Sequence, residues 1–279
     1  MGAGDYNKTM NILESTVLGL VQGITEFIPV SSSGHLEITQ RILGAGGRAE
    51  DFHFFLELIN FGTLFALLFY YRQTIWEILQ RVFVKKDYKL ALNILITSIP
   101  AGIIGLILSK VIEKLPFFSS LATIGFAMGF VGLIMIFVNK LPHLSKLKDE
   151  NELTPGRALA IGLAQTFALI PGVSRSGSTI ITGRVMGLDS KSAAKYSFLA
   201  SLPIMIAVCG KSLLSSSSRA YITSNLGMLL LSNLVAFVSG LIALQIVMKY
   251  FKKENGMQRG SLSIRSWRTR SAIEDTRLS

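Results

Sequence analysis

Five stretches of about twenty residues in this chain are nearly free of charge: 52–71, 90–109, 118–138, 192–212 and 225–248. Each is long enough to cross the ~30 Å hydrocarbon core of a bilayer as a helix. The chain is therefore expected to be an all-α polytopic membrane protein. Composition agrees, with 50% apolar and 16% charged residues where soluble domains carry roughly 25% charge. The single cysteine, Cys209, lies inside one apolar run and offers neither a disulfide framework nor a metal cluster. The first residues, Met1 to Asn11, lack the basic n-region and cleavage site of a signal peptide, so the first span is expected to target the chain.

The net charge of +11 raises nucleic acid as a partner, but its distribution points elsewhere. Arg72, Arg81, Lys85, Lys86 and Lys89 gather between one pair of runs, Lys140, Lys146, Lys148 and Arg157 between another, and seven more basic residues follow Tyr250. The intervening connections are poorer, with Lys110 and Lys114 in one and Arg219 in the other. This alternation is the positive-inside pattern of a membrane protein. It places 72–89, 140–157 and the C-terminal tail in the cytoplasm, and it implies no nucleic-acid partner.

Two further segments nearly repeat each other. Residues 19–35 read GLVQGITEFIPVSSSGH and residues 162–179 read GLAQTFALIPGVSRSGST. Each starts as an apolar helix, breaks at Pro29 or Pro171, and continues through a Ser/Gly-rich turn into a second short helix. Neither is long enough to cross twice, so each is expected to be a re-entrant hairpin. Three spans separate the two, which makes the hairpins enter from opposite faces. The predicted domain is a single membrane unit over 1–251, built of two inverted repeats at about 12–139 and 156–250, whose broken tips meet near mid-membrane.

The tips carry the chemistry. Gln22 and Glu26 are four residues apart on one helix face and offer oxygen ligands to a hard divalent cation such as Mg2+ or Ca2+. Ser31, Ser32 and Ser33 begin the next helix, with His35 on the face of Ser32, an arrangement suited to a nucleophile and its proton carrier. On the second hairpin, Ser174, Arg175, Ser176, Ser178 and Thr179 crowd a helix start, where free N–H groups and a guanidinium attract phosphate. Ser31, Ser33, Ser178 and Thr179 read equally well as helix caps. Ionisable side chains at membrane depth are expensive and usually functional, which singles out Glu26, His35 and Arg175. Glu57 also falls inside a span and is expected either to join the site or to pair with a base. His53 and His143 read as solvated.

Gln22-x-x-x-Glu26, Pro29–His35 and Pro171–Thr179, in this order, resemble the signature motifs of the undecaprenyl-diphosphate phosphatase family, also known for bacitracin resistance. The resemblance covers roughly 12–250 and includes echoes at Phe61-Gly62-Thr63 and Ser197-Phe198-Leu199. It implies a bacterial plasma-membrane enzyme, open to the outer face, that removes one phosphate from a polyprenyl diphosphate and so recycles the carrier of cell-wall synthesis. It implies Ser32 as nucleophile, His35 and Glu26 in proton transfer or metal binding, and Arg175 on phosphate. Direct water attack, with Ser32 only binding, stays open. So does a carrier that flips the lipid without chemistry, because paired broken helices are also transporter architecture.

One departure from the family stands out. Its members carry a further membrane helix after the segment matching Asn225–Met248, whereas here 252–279 has no apolar run. The tail is expected to be disordered and cytosolic. The missing helix would leave an apolar groove on the outside of the second repeat, open to lipid or to a partner helix such as that of a homodimer.

Overall fold

The computed structural model describes residues 10–44, 49–115, 117–118, 120–140 and 147–275. His143 and the last four residues of the tail lie outside them. All the regular structure described is helical: α1 (Ile12–Phe27), α2 (Ser32–Leu43), α3 (Ala49–Leu58), α4 (Asn60–Tyr70), α5 (Arg72–Phe83), α6 (Lys89–Lys114), α7 (Leu121–Lys140), α8 (Pro155–Gln165), α9 (Arg175–Val185), α10 (Ser190–Leu214) and α11 (Ser216–Asp275). Among the described residues, five stretches are long and apolar enough to span a membrane: 51–70, 89–108, 121–138, 190–214 and 216–253. They coincide with the five runs read from the sequence. The α5 helix was not foreseen in the basic connection 72–89. It buries none of its residues and leaves Trp76 and Phe83 exposed, as a helix lying on a membrane surface would.

The first helix of each half packs into the other half. Helix α1 lies along α11, and α8 lies along α6. The duplicated Gly-Leu-x-Gln explains the glycines. A Cβ on Gly19 would stand 2.5 Å from the carbonyl oxygen of Ser232, and one on Gly162 would stand 2.6 Å from that of Thr97. Small residues let membrane helices approach backbone to backbone where no hydrophobic force draws them together. Polar side chains then bridge the gap: the Thr97 hydroxyl donates to the Ala158 carbonyl at 2.9 Å and lies 2.7 Å from the Tyr196 hydroxyl.

Two features depart from expectation. The tail beyond Lys252 continues α11 as helix through Asp275. Extending an existing helix adds a hydrogen bond per residue without a new nucleus, so a polar tail can follow a span without an apolar stripe. The one break in α11 is a kink at Asn225. An apolar groove of about 880 Å³ is lined by residues such as Phe61, Phe65, Leu230 and Phe237, together with Leu213. It runs between α4 of the first half and α11 of the second. This groove thus lies between α4 and α11, where the expectation was one on the outside of the second repeat.

Candidate active site

Both hairpin tips are made by the same local sequence. Helix α1 stops at Phe27 because Pro29 follows and Ile28 is extended at φ −72°, ψ 132°. After the turn, Ser31 caps α2 by accepting from the Gly34 N–H at 3.4 Å. In the second tip, α8 tightens into a 3-10 turn over Thr166–Leu169, Ile170 is extended, and Ser174 caps α9 by accepting from Gly177 N–H at 3.0 Å. The two caps align Ser31-Ser32-Ser33-Gly34 with Ser174-Arg175-Ser176-Gly177. Ser32 and Arg175 thus hold the same position, the first residue of a helix.

The tips differ in strain. Ser174 has ordinary extended dihedrals at φ −72°, ψ 123°. Ser31 sits at φ 68°, ψ 94°, a left-handed conformation that costs a non-glycine residue of order 1–3 kcal/mol and clusters at functional sites. The second tip takes its left-handed step at Gly172, φ 94°, where a Cβ would also come within 2.5 Å of the Ile124 carbonyl oxygen.

Glu26 joins the tips. Its Oε2 accepts from the Ser32 hydroxyl at 2.7 Å and from Gln22 Nε2 at 3.1 Å. Its Oε1 is ion-paired with the Arg175 guanidinium, which also reaches the Met205 sulfur at 3.8 Å. The Glu26 side chain is only 8% exposed, so the carboxylate depends on these partners in place of water. Gln22 is held in turn by the Asn60 side-chain oxygen at 3.1 Å and the Thr63 hydroxyl at 3.3 Å. Glu26, Ser31–Ser33, Ala168, Val173 and Ser174–Ser176 surround a polar pocket of about 80 Å³, room for one small polar group. A serine hydroxyl donating to a buried carboxylate, beside a guanidinium and two helix N-termini, can attack an electrophile while its negative charge is neutralised.

Of the residues singled out from the sequence, the pocket gathers Glu26, Ser31, Ser32, Ser33, Ser174, Arg175 and Ser176. Thr179 does not line it. The Thr179 hydroxyl donates to the Arg175 carbonyl at 3.0 Å and joins that of Ser197, tying α9 to α10. His35 shares no hydrogen bond with Ser32. Its Nδ1 bonds the Ser31 carbonyl at 2.8 Å. Glu57 lies elsewhere, taking the Ser212 hydroxyl at 2.9 Å, with His53 at 3.4 Å and Lys211 at 3.8 Å. Asn60, Thr63 and Met205 were not singled out as site residues. The signal for the first two was visible, as polar side chains inside an apolar run beside the Phe61-Gly62-Thr63 echo.

The arrangement does not suit a cation held by Gln22 and Glu26. Gln22 turns its amide nitrogen, a donor, toward the carboxylate. Both Glu26 oxygens are taken, one by a guanidinium that would repel a metal. Among the described residues no group of three or more His, Cys, Asp or Glu could hold an ion.

A family profile described as bacitracin resistance protein BacA matches residues 15–258. An undecaprenyl-diphosphatase of Neisseria meningitidis serogroup C is 35% identical over 247 residues, 88% of either chain. One from Neisseria gonorrhoeae is 34% identical over the same share. One from Christiangramia forsetii is 33% identical, covering 88% of this chain and 91% of its own.

Proposed function

The chain belongs to the bacitracin resistance protein BacA family, and from that premise we propose the chemistry of its site: hydrolysis of undecaprenyl diphosphate to undecaprenyl phosphate and inorganic phosphate, with Ser32 as nucleophile. The protein is a multi-pass membrane enzyme. One observation carries the mechanism. The Ser32 hydroxyl donates to buried Glu26 at 2.7 Å, inside general-base reach, in the pocket that also holds Arg175.

The terminal phosphate enters between the N-termini of α2 and α9, and Arg175 transfers its guanidinium from Glu26 to the phosphate oxygens. This frees the carboxylate at the moment it is needed. Ser32 Oγ attacks the terminal phosphorus while Glu26 takes the hydroxyl proton. The bond to the bridging oxygen breaks, Glu26 passes the proton to that oxygen and becomes a carboxylate again, and undecaprenyl phosphate leaves with its lipid chain along apolar helix faces. Water, deprotonated by Glu26, then attacks the phosphoserine, and inorganic phosphate is released as Ser32 regains its proton. Most of the work is positioning and charge neutralisation, as phosphoryl transfer requires. A carrier that only flips lipid has no use for a serine held on a buried carboxylate.

The finer topology is part of the same proposal. The reciprocal packing of α1 on α11 and of α8 on α6 supports inverted repeats with re-entrant tips. The basic connections support a bacterial plasma-membrane location with the pocket open to the outer face. No step is routed through a metal. Mg2+ or Ca2+ is proposed only as a companion of the diphosphate, so a chelator should raise KM and added Mg2+ should restore it.

The test is phosphate release from undecaprenyl diphosphate by purified protein in detergent, where no membrane exists to transport across. Turnover that disappears with Ser32→Ala, together with a trapped phosphoserine in wild type, is the expected result. Wild-type protein without phosphate release would overturn the assignment. Ser32→Ala with near-normal turnover would replace the covalent route with direct water attack.

A further inference from the structure

We infer that His35 is a positioning residue: its imidazole clamps the strained Ser31 carbonyl and thereby aims the Ser32 hydroxyl, and it carries no proton in the reaction. This role rests on the phosphatase proposal above.

The Ser31 carbonyl receives two hydrogen bonds, both from His35. The backbone N–H donates at 3.2 Å and the ring Nδ1 at 2.8 Å. A carbonyl can only accept, so Nδ1 carries the hydrogen and the tautomer is fixed. Ser31 is one of two non-glycine residues with positive φ among those described, and such a conformation persists only where its surroundings over-determine it. The imidazole supplies that constraint one residue before the nucleophile. The ring does not line the pocket, and the Ser32 hydroxyl is already engaged by Glu26.

The second tip shows the same device in simpler form. Ser178 stands where His35 stands in the first tip, four residues after the cap. Its backbone N–H donates to the Ser174 carbonyl at 2.9 Å, and its hydroxyl donates to the same oxygen at 2.9 Å. There the cap is unstrained and a hydroxyl suffices. Nothing about a clamp at this position requires a titrating group. Asparagine serves too in this chain: Asn60 Nδ2 donates to the Leu56 carbonyl at 2.8 Å and Asn233 Nδ2 to that of Leu229 at 2.9 Å.

The experiment compares His35→Ala, His35→Ser and His35→Asn with wild type in the detergent assay, across pH 5 to 9. Misplacing a reacting group by about 1 Å costs on the order of 10²-fold, so His35→Ala should lose about that much in kcat with little change in KM. His35→Ser and His35→Asn keep a donor on the Ser31 carbonyl. They should recover kcat to within about tenfold of wild type, the worth of one hydrogen bond. Their pH profiles should keep both wild-type limbs. If all three variants are equally inactive while wild type turns over, or if a limb vanishes in His35→Asn, His35 moves a proton and the clamp is overturned. Wild type without any phosphate release would instead overturn the phosphatase proposal itself. Should His35→Ala fail to fold, the serine and asparagine variants decide the matter alone.

Discussion

Ser31, Ser32 and Ser33 are the same side chain in consecutive positions, yet their surroundings assign them different work. Ser31 spends its hydroxyl on the cap of α2, within 3.3 Å of that of Ser33, and only Ser32 reaches Glu26. Ser32→Ala should therefore lower turnover by orders of magnitude. Ser33→Ala should do little, and Ser31→Ala should cost about 1 kcal/mol of stability through the lost cap with a milder kinetic effect. Phosphate release and thermal unfolding of the three variants separate these outcomes; equal, mild losses would argue for water as the nucleophile. Arg175 supports a second comparison. Its guanidinium is ion-paired with Glu26 and in the proposed mechanism moves to the phosphate, and a lysine cannot reproduce the planar fork. Arg175→Lys should lose most of kcat/KM, as should Arg175→Ala, and the alanine variant should also unfold earlier because Glu26 is left buried and unpaired. A lysine variant with near-normal turnover would reduce Arg175 to diffuse charge. That Glu26, Ser32 and Arg175 would meet in one pocket was legible because ionisable groups at broken membrane helices are expensive to place there. His35 was legible as a residue of the first tip, but its bond to the Ser31 carbonyl was not. Sharing a helix face with Ser32 does not say which atom the ring will bond, and that was decided by a backbone dihedral at Ser31 that no spacing encodes. Gln22 was legible as a neighbour of Glu26, but not that its amide nitrogen would face the carboxylate, because the sequence does not say which end of an amide points where.

Helix breaks were the most readable elements, because Pro29 and Pro171 act through local chemistry alone. The 3-10 turn before Ile170 and the surface helix α5 were not, since both depend on packing or on the membrane surface. Glycines show the difference most directly. Gly162 and Gly129 both lie inside apolar helices. A Cβ on Gly162 would meet the Thr97 backbone at 2.6 Å, whereas one on Gly129 would meet nothing within 4 Å. Backbone cannot give way as the end of a flexible side chain can, so Gly162→Ala should destabilise the α6–α8 contact by about 1–3 kcal/mol. Gly129→Ala should be neutral or mildly stabilising, since alanine is favoured over glycine within a helix by roughly 0.5–1 kcal/mol. Thermal unfolding in detergent checks both, and equal midpoints would show that α6 and α8 are not so closely packed. The repeated Gly-Leu-x-Gln was read as a mark of duplication. Its physical reason, an approach of each half's first helix to the other half's backbone, needed the fold.

Across the molecule, charge and apolar length act together to set orientation. Apolar runs fix the number of crossings, and the basic connections fix which ends face the cytoplasm. Both are properties of composition over long windows, which is why the five spans were visible beforehand. The position of the large groove was not, because it depends on how α4 and α11 splay. The tail tests the orientation. Seven basic residues against three acidic ones follow Phe251, and carrying them outward would oppose the positive-inside bias. The C-terminus is therefore expected in the cytosol. The chain's one native thiol, Cys209, is buried within α10 at 3% exposure, so a cysteine introduced at Ser279 gives a clean signal. With a membrane-impermeant thiol reagent, Ser279→Cys should stay unlabelled in intact cells and react once the cells are opened. Labelling of intact cells would put the tail outside. Either a crossing was gained or lost before the tail, or the whole chain is inverted, and inversion would open the pocket to the face opposite the one proposed.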